Sequence, residues 1–405
     1  MKIRSVTSFF DPGIDRNISP LARFNDELKG SFEDAGFEVE TTRLAATPFS
    51  TWLSGTTRER IHTLQILEKE IKSAGWDYLS AGPATPESVD DYDVIADLLA
   101  STQDVFFSSV ISDRHAVYPE LVAKCARTIQ HTSRIAAEGF GNLRFACLGN
   151  VGPYAPFFPA AYHETRAPAA FSLAMECADE AVSAFSQAGS VEEARKALLR
   201  HLEEAAAVLL PLCQLTGQKH QVQFVGFDFS PAPFPEDWCS LGKSLETLGF
   251  GKLGSSGSLT AAALIADILD RGNWPKAGFN GLMLAVMEDS VLAARAAQGV
   301  LSINDLLLYS AVCGTGLDTI PLPGDVSEAE LTAVLLDLGA LATRLGKPLT
   351  ARLMPIPDKK AGDPTNFQFG YFATSRIMRL DHQASTEKLK VDAFLPIQPR
   401  KSNLR

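Results

Sequence analysis

Strand-like and helix-like segments alternate along most of this 405-residue chain. Short apolar runs at 2–9 and 105–111 are typical of buried strands, whereas 57–74 and 119–137 carry helical periodicity. Parallel strands need long crossover connections, which helices usually supply. The alternation therefore predicts an α/β fold built on a mostly parallel sheet or a barrel.

No linker rich in proline, glycine or serine divides the chain, and strand patterns extend over most of its length. Its composition, 46% hydrophobic and 21% charged, is that of a protein with a large core. We therefore predict one α/β barrel-like domain over residues 1–385. Residues 386–405 are polar with little periodicity, and we expect a loosely held tail there.

The net charge of −11 argues against nucleic acid or an anionic membrane as a partner, and favours a small molecule. The apolar run after Met1 is too short for a signal peptide, and no run of eighteen apolar residues exists. Six cysteines without a C-x-x-C pair are typical of reduced thiols, so we expect a cytoplasmic protein. The sequence also leaves a homo-oligomer possible.

The stretch from Gln221 to Asp270 passes from a buried strand to a polar corner and then to helices. Residues 221–229 carry no charge before Asp228, and Ser230 follows directly. Ligands of parallel α/β folds bind at the carboxyl ends of strands, so both residues are candidates for a site. The prolines that follow support the alternative that Asp228 and Ser230 shape a turn.

The segment 249–254 matches the dinucleotide pattern G-x-G-x-x-G, but a predicted helix at 236–248 precedes it, where the motif requires a strand. We therefore predict no dinucleotide site. The polar start of the next helix contains Ser255, Gly257 and Ser258. Its free N–H groups could bind a carboxylate or phosphate; ordinary helix capping is the alternative.

Two residues in glycine-rich or proline-rich loops are candidates for chemistry. His163 lies in the apolar loop 149–168, and its ordinary pKa near neutrality suits acid or base catalysis. Cys313 follows a helix and precedes Gly314 and Gly316, which permit a loop that presents the sulfur. Structural roles, as a buried histidine and a small apolar cysteine, are the alternatives.

Arg352 lies in a predicted strand of largely apolar residues. A buried guanidinium needs an anionic partner, which could be Asp318, Asp228 or a bound substrate. Five candidates fall in loops or in and at the ends of strands: Arg352, Asp318, Asp228, His163 and Cys313. We therefore expect these five residues to share one interior cavity.

Polar residues also follow three of the early strands: Asp11, then Asp113 with Arg114 and His115, then Asn150. The ends of parallel strands meet at one edge of a sheet, so these residues predict a cleft along that edge. Each could instead cap a helix or form a turn.

Several motifs together carry a family resemblance: KIRSVT, FFPAAYH, FDFSPAP, SLETLGFGKLGSSGSLTAA, CGTGLDTIPLPGD and RLMPIPDKKAGD. In these the chain resembles domain-of-unknown-function family 711, also called uncharacterised protein family 0210. The resemblance implies an α/β barrel of about ten strands with outer helices and a loop inside, the fold type of pyruvate formate-lyase. The family has no assigned chemistry, and a fold alone does not supply one.

Radical enzymes of that fold carry a cysteine on an interior finger loop and a glycyl radical near the C-terminus. Cys313 could resemble the first, and Gly370 beside Tyr371 superficially resembles the second. No arginine precedes Gly370 as the motif requires, and the chain is far shorter. We therefore do not expect a glycyl radical enzyme.

We predict a non-radical enzyme that acts on a small anionic metabolite in an interior pocket. The predicted catalytic residues are Cys313, His163 and Asp228. The predicted substrate-binding residues are Arg352, Asp318, Ser230, Ser255, Gly257 and Ser258. A binding or regulatory protein without turnover is one alternative, and a divalent-metal enzyme that uses Asp228, Asp318 and His163 is another. No metal-ligand spacing is diagnostic, and the identity of any cofactor is left open.

Overall fold

The protein is described by a computed structural model that covers residues 1–15, 17–380 and 394–400. Within these residues the chain forms eleven strands: β1 Lys2–Phe10, β2 Thr42–Ala46, β3 Tyr78–Ala84, β4 Val105–Ser112, β5 Ala116–Val117, β6 Phe145–Gly149, β7 Ala170–Glu176, β8 Gln223–Asp228, β9 Gly316–Pro323, β10 Leu349–Ile356 and β11 Leu395–Pro396.

Helices connect most of these strands, as the periodicity predicts. The α-helices of the described ranges are α1 Ser19–Asp34, α2 Thr57–Ser73, α3 Asp91–Ala100, α4 Pro119–Thr132, α5 Ala178–Gln187, α6 Val191–His220, α7 Leu241–Thr247, α8 Ser258–Arg271, α9 Ser290–Ala297, α10 Ile303–Val312 and α11 Glu328–Leu345.

The strands form one mixed sheet in the order β8-β7-β1-β2-β3-β4-β6-β10-β9, with β5 and β11 attached beside β4. Strands β1, β2, β3, β4 and β6 are parallel to their neighbours in this set. The pairs β7/β8 and β9/β10 are also parallel, but both join the first set through antiparallel contacts. The prediction of an α/β protein with a mostly parallel sheet is confirmed.

The edge strands β8 and β9 do not pair with each other among the described residues, but one segment bonds to both of them. This connecting segment, residues 275–286, forms a bridge from Lys276 to Phe227 of β8 and another from Ala285 to Asp318 of β9. It is not a regular strand, because the backbone turns with positive φ at Gly278 and Asn280.

Helices cover one face of the sheet. Val6, Leu44 and Leu79 of the strands share one hydrophobic core with Phe24 and Leu28 of α1. Burial of each large apolar side chain contributes about 1.5–3 kcal/mol, so this layer stabilises most of the fold.

A long loop, residues 150–169, lies against the opposite face. Hydroxyl groups of the strands bind its carbonyl oxygens: Thr7 Oγ1 donates to Pro156 O at 2.8 Å, and Ser80 Oγ donates to Ala161 O at 2.6 Å. Ser172 Oγ donates to Tyr154 O at 2.9 Å. Buried hydroxyls on a sheet face need acceptors, and the loop supplies them.

Part of the predicted tail is described. Leu395–Pro396 pairs antiparallel with β5, and Arg400 N donates to Arg344 O at 3.0 Å. Residues 386–393 and 401–405 lie outside the described residues, so the loosely held tail stays a prediction. No helix in the described ranges is both long and apolar enough to cross a membrane, and all six cysteines are free and buried.

Candidate functional site

A cavity of about 200 Å³ lies between the loop 150–169, the connecting segment and the inner face of the sheet. It is smaller than the roughly 300–1,000 Å³ of pockets for drug-sized ligands. Most of its wall is apolar or aromatic. The charged and phenolic residues in the wall are Arg4, Glu40, Arg43, Tyr78, Glu288, Asp318, Arg352 and Tyr371.

The cavity lies at the start of the first parallel set of strands. Arg43 is the second residue of β2, Tyr78 is the first of β3, and Phe106 is the second of β4. Strands β9 and β10 run the opposite way relative to β6, and they contribute Asp318 and Arg352 to the same wall.

The cleft predicted at Asp11, Asp113 and Asn150 is therefore at the other end of these strands, and none of the three lines the cavity. Asp11 accepts from Gly13 N at 2.9 Å, and Asp113 accepts from Ala116 N at 2.9 Å. Asp113 shapes a local turn, which was the alternative interpretation, whereas Asp11 Oδ2 also accepts from Arg166 N of the loop 150–169 at 3.0 Å.

Arg352 is paired with Asp318, one of the two carboxylates that the sequence offered. Arg352 Nε donates to Asp318 Oδ1 at 2.5 Å, and Nη2 donates to Oδ2 at 3.0 Å, which is a bidentate pair. Nη2 also donates to Glu288 Oε1 at 2.7 Å. Burial raises the pKa of Glu288, and Arg352 counteracts this by stabilising the ionised form.

Arg4 is surrounded by three carboxylates. Its Nη1 lies 2.8 Å from Glu176 Oε2 and 3.2 Å from Glu40 Oε2, and its Nη2 lies 3.5 Å from Glu288 Oε2. Burial also raises the pKa of Glu176, against the effect of Arg4. The Tyr371 ring lies 5.6 Å from the Arg4 guanidinium carbon and forms part of the wall beside it.

Arg43 differs from the other two arginines because, within the described part of the chain, no carboxylate forms an ion pair with it. Its Nε donates to Thr41 Oγ1 at 2.9 Å, and its guanidinium lies over the rings of Phe158 at 5.3 Å and Tyr78 at 5.9 Å. Burial, and next the charge of Arg4, lower the pKa of Arg43 to about 10. Arg43 is still protonated at neutral pH, with its two terminal nitrogens available to a ligand.

Asp228 and Ser230 are fully buried and do not line the cavity. Asp228 Oδ2 accepts from Phe279 N at 2.7 Å, and Oδ1 accepts from Asn280 N at 2.9 Å and Ser230 Oγ at 2.6 Å. Burial raises the pKa of Asp228, and these donors oppose that rise. The carboxylate holds the connecting segment, which places Phe279 in the cavity wall.

Cys313 packs against the same segment. A side chain at Gly281 would come within 3.3 Å of Cys313 Sγ. Burial raises the pKa of Cys313 to about 11, which leaves the thiol protonated at neutral pH. The cavity wall does not include Cys313.

His163 is fully buried in the loop 150–169, away from the cavity wall. Its Nε2 lies 3.1 Å from Ala167 O, and its ring packs near Phe9 and Tyr154. Nδ1 has no hydrogen-bond partner among the described residues. Burial lowers the pKa of His163, so the neutral form is favoured.

The predicted anion site at Ser255, Gly257 and Ser258 lies at the start of α8, outside the cavity. Ser258 Oγ donates to Ser255 O at 2.8 Å and accepts from Gly254 N at 3.1 Å. These bonds close the turn that precedes α8, whereas the N-cap residue of the helix, Gly257, makes no side-chain capping bond. Of the nine predicted site residues, the cavity wall includes Asp318 and Arg352.

Sequence reasoning missed Arg4, Arg43 and Glu288. Arg4 and Arg43 interrupt apolar strands in KIRSVT and TRLAA as Arg352 does in its own strand, and the need of a buried arginine for a partner holds for all three. Glu288 follows the apolar run GLMLAVM, and a carboxylate at the end of such a run likewise needs a partner. Among the described residues, no group of three or more His, Cys, Asp or Glu is arranged to hold a metal ion.

Fold and site define a mixed α/β protein with a small interior cavity lined by arginines, carboxylates and aromatic rings. A family model described as "Uncharacterised ACR (DUF711)" matches residues 2–374, and the chain belongs to that family. The resemblance drawn from the motifs is thus confirmed.

The similar curated proteins are named UPF0210 proteins. One from Pyrobaculum arsenaticum is 30% identical over 81% of this chain and 76% of its own length. One from Pyrobaculum aerophilum is 32% identical over the same shares. One from Methanopyrus kandleri is 27% identical over 84% of this chain and 78% of its own length. These names assign no activity.

Proposed function

We propose that this protein is a non-radical enzyme that binds a small organic anion in the interior cavity and acts on it by proton transfer. The observation that carries the proposal is Arg43, a cation in the cavity wall without a carboxylate partner in the described chain. A buried cation costs free energy unless an anion accompanies it, and a bound ligand can supply that anion.

The walls around Arg43 favour an organic anion over an inorganic ion. The rings of Phe158 and Tyr78 flank the guanidinium, and Phe106 packs edge to face against both of these rings. Apolar walls favour a ligand with an apolar body, while the free end of Arg43 suits a carboxylate or phosphate.

Glu288 is the carboxylate best suited to move a proton. It lies in the cavity wall and contacts both Arg4 and Arg352. Because burial raises its pKa, the protonated form is more accessible near neutrality than for a carboxylate in water. Glu288 would accept a proton from the ligand and return it, which needs no other reactant.

We also infer that the sheet curves into a barrel around this cavity. The connecting segment bonds to both edge strands, and the loop 150–169 lies against the face of the sheet that the helices leave uncovered. These contacts support the barrel of about ten strands that the family resemblance implies. A barrel would enclose the cavity on all sides with strands and loops.

The binding test compares Arg43→Met with Arg23→Met, an exposed arginine of α1. A panel of small carboxylates and phosphomonoesters is screened by thermal shift, and each positive compound is titrated by calorimetry. Loss of a bidentate charged contact should weaken binding by about 100-fold in Arg43→Met. Equal affinity in Arg43→Met and Arg23→Met would contradict the proposal.

Turnover is tested by proton exchange. A bound compound is incubated with the protein in deuterated water, and loss of its proton resonances is followed by NMR. We expect exchange with the native chain and none with Glu288→Gln, even at a ligand concentration that saturates the variant. Binding without exchange in the native chain would favour the alternative of a binding protein without turnover.

Catalytic roles for Cys313, His163 and Asp228 stay predictions that the same assay tests. If Cys313→Ser lost exchange while it kept affinity, the thiol would belong to the mechanism and Glu288 would not suffice. A cytoplasmic location, a homo-oligomer and a divalent-metal enzyme are also predictions that await measurement.

A further inference from the structure

The charges of the cavity are unevenly distributed. Arg4 and Arg352 together face four carboxylates, which are Glu40, Glu176, Glu288 and Asp318. The third guanidinium, Arg43, has no carboxylate partner among the described residues. One part of the site therefore has an unpaired cation, and another has more carboxylates than cations.

We propose that the ligand is a zwitterion of the amino-acid type, with its anionic group on Arg43 and its ammonium group at Glu40 and Glu288. This inference rests on the proposed function and narrows its ligand class. Both carboxylates line the cavity, and both lie beside Arg4, which is shared among three carboxylates. An ammonium group would relieve this excess of negative charge.

The two charged positions are close in the fold. Glu40 and Thr41 precede Arg43 at the start of β2, and Thr41 Oγ1 accepts from Arg43 Nε while it donates to Arg4 O at 2.8 Å. Thr41 thus connects the unpaired guanidinium with the residue that the carboxylates surround. A cavity of about 200 Å³ holds only a small ligand. A small ligand whose two charges are separated by a few bonds can contact both positions.

The charge sum of the site favours a zwitterion over a simple anion. Three arginines and four carboxylates give +3 − 4 = −1 when all are ionised. A simple anion would increase that negative charge in a place of low dielectric constant, whereas a zwitterion adds none. Protonation of Glu288 or Glu176 would also remove the net negative charge of the site, since burial raises the pKa of both carboxyl groups.

The test uses two sets of probes that differ only in their charged groups. One set is L-phenylalanine, 3-phenylpropionate and 2-phenylethylamine; the other is L-leucine, 4-methylpentanoate and 3-methylbutylamine. Each is titrated by calorimetry into the full chain. At least one amino acid should bind about tenfold or more tightly than its carboxylate and its amine, as a charged hydrogen bond predicts.

Two variants locate the groups. Arg43→Met should weaken amino acid and carboxylate alike, whereas Glu288→Gln should weaken the amino acid and leave the carboxylate unchanged or tighter. Glu33→Gln, an exposed carboxylate of α1, is the matched control. Unfolding curves of all variants are recorded first, to check that each variant is folded before it is titrated.

The outcomes separate this inference from the proposed function. If carboxylates bind through Arg43 as tightly as the amino acids, or if Glu288→Gln weakens both equally, the zwitterion is excluded and the anion site remains. If no amino acid and no carboxylate binds, the inference fails, and the anion site fails with it unless a phosphomonoester of the first screen binds through Arg43.

Discussion

Three largely buried arginines of one cavity have different roles because their partners differ. Arg352 binds both oxygens of Asp318, and Arg4 is shared among several carboxylates, so both stabilise the fold around the site. Removal of either would leave buried carboxylates unpaired, at a cost of about 3–5 kcal/mol. Arg43 forms no ion pair with a carboxylate among the described residues. Its replacement should therefore change the affinity for the ligand far more than the free energy of unfolding.

Asp228→Asn should lower the free energy of unfolding by about 2–4 kcal/mol. Both carboxylate oxygens accept backbone N–H groups, so the amide nitrogen of asparagine would face a donor in either orientation. Urea unfolding measures the loss, and Asp34→Asn at the exposed end of α1 is the control. A loss no larger than that of the control would show that Asp228 does not hold the connecting segment.

The sequence predicts part of this residue-scale chemistry. Asp318 and Arg352 follow from the rule that a charge in an apolar strand needs a partner, and the same rule reaches Arg4 and Arg43. The partners of Asp228 do not follow, because Phe279 and Asn280 are 51 and 52 residues away. Only the folded chain brings those N–H groups to the carboxylate.

At the scale of elements, the connecting segment forms much of the site. Phe279 and Met283 lie in the cavity wall, while backbone groups on the same segment bond to Asp228 and Ser230. Residues 281–286, GLMLAV, are as apolar as a buried strand, yet they form a single bridge and no regular strand. Hydrophobic periodicity describes burial, and here burial comes from loop packing and not from a ladder.

Gly278→Ala should destabilise the protein more than Gly299→Ala does. The two glycines have nearly equal backbone angles, φ 69 and φ 70. A side chain at Gly299 meets open space, whereas one at Gly278 would overlap Asp228 Oδ2 and approach Pro156 Cδ to 2.8 Å.

The backbone cost alone is about 1–2 kcal/mol, which Gly299→Ala measures. Overlap with the carboxylate and the proline should add about 1–3 kcal/mol in Gly278→Ala. Thermal and urea unfolding of both variants give the difference. Equal losses would mean that the contact of Gly278 with Asp228 is not tight, and the segment would then be held elsewhere.

At the scale of the whole molecule, strand direction decides where the cavity lies. Periodicity predicts most strands and helices, but it does not show that β7 and β10 meet the first parallel set in antiparallel contacts. With both directions present, each edge of the sheet receives strand starts from one set and strand ends from another. The predicted cleft at Asp11, Asp113 and Asn150 assumed one direction only.

His163 makes the stability of the whole fold depend on pH. Nε2 lies near a carbonyl oxygen and therefore carries the proton of the neutral ring, which leaves Nδ1 as a buried acceptor without a partner in the described chain. Protonation would place an N–H⁺ group there with no acceptor. Burial accordingly lowers the pKa of His163, although Asp11, Asp15 and Glu164 act in the opposite direction.

Between the lowered pKa of the folded chain and about pH 6.5, the unfolded chain binds a proton at this histidine that the folded chain does not. Unfolding therefore takes up a proton, and the free energy of unfolding falls as the pH falls, by up to about 1.4 kcal/mol per pH unit. His163→Gln keeps a donor for Ala167 O but cannot titrate, so its profile between about pH 5 and pH 7.5 should be flatter. Urea unfolding at each pH gives both profiles, and His62→Gln on the exposed face of α2 should keep the native slope. Parallel profiles for the native chain and His163→Gln would show that His163 accepts a proton in the folded state, as a catalytic base would.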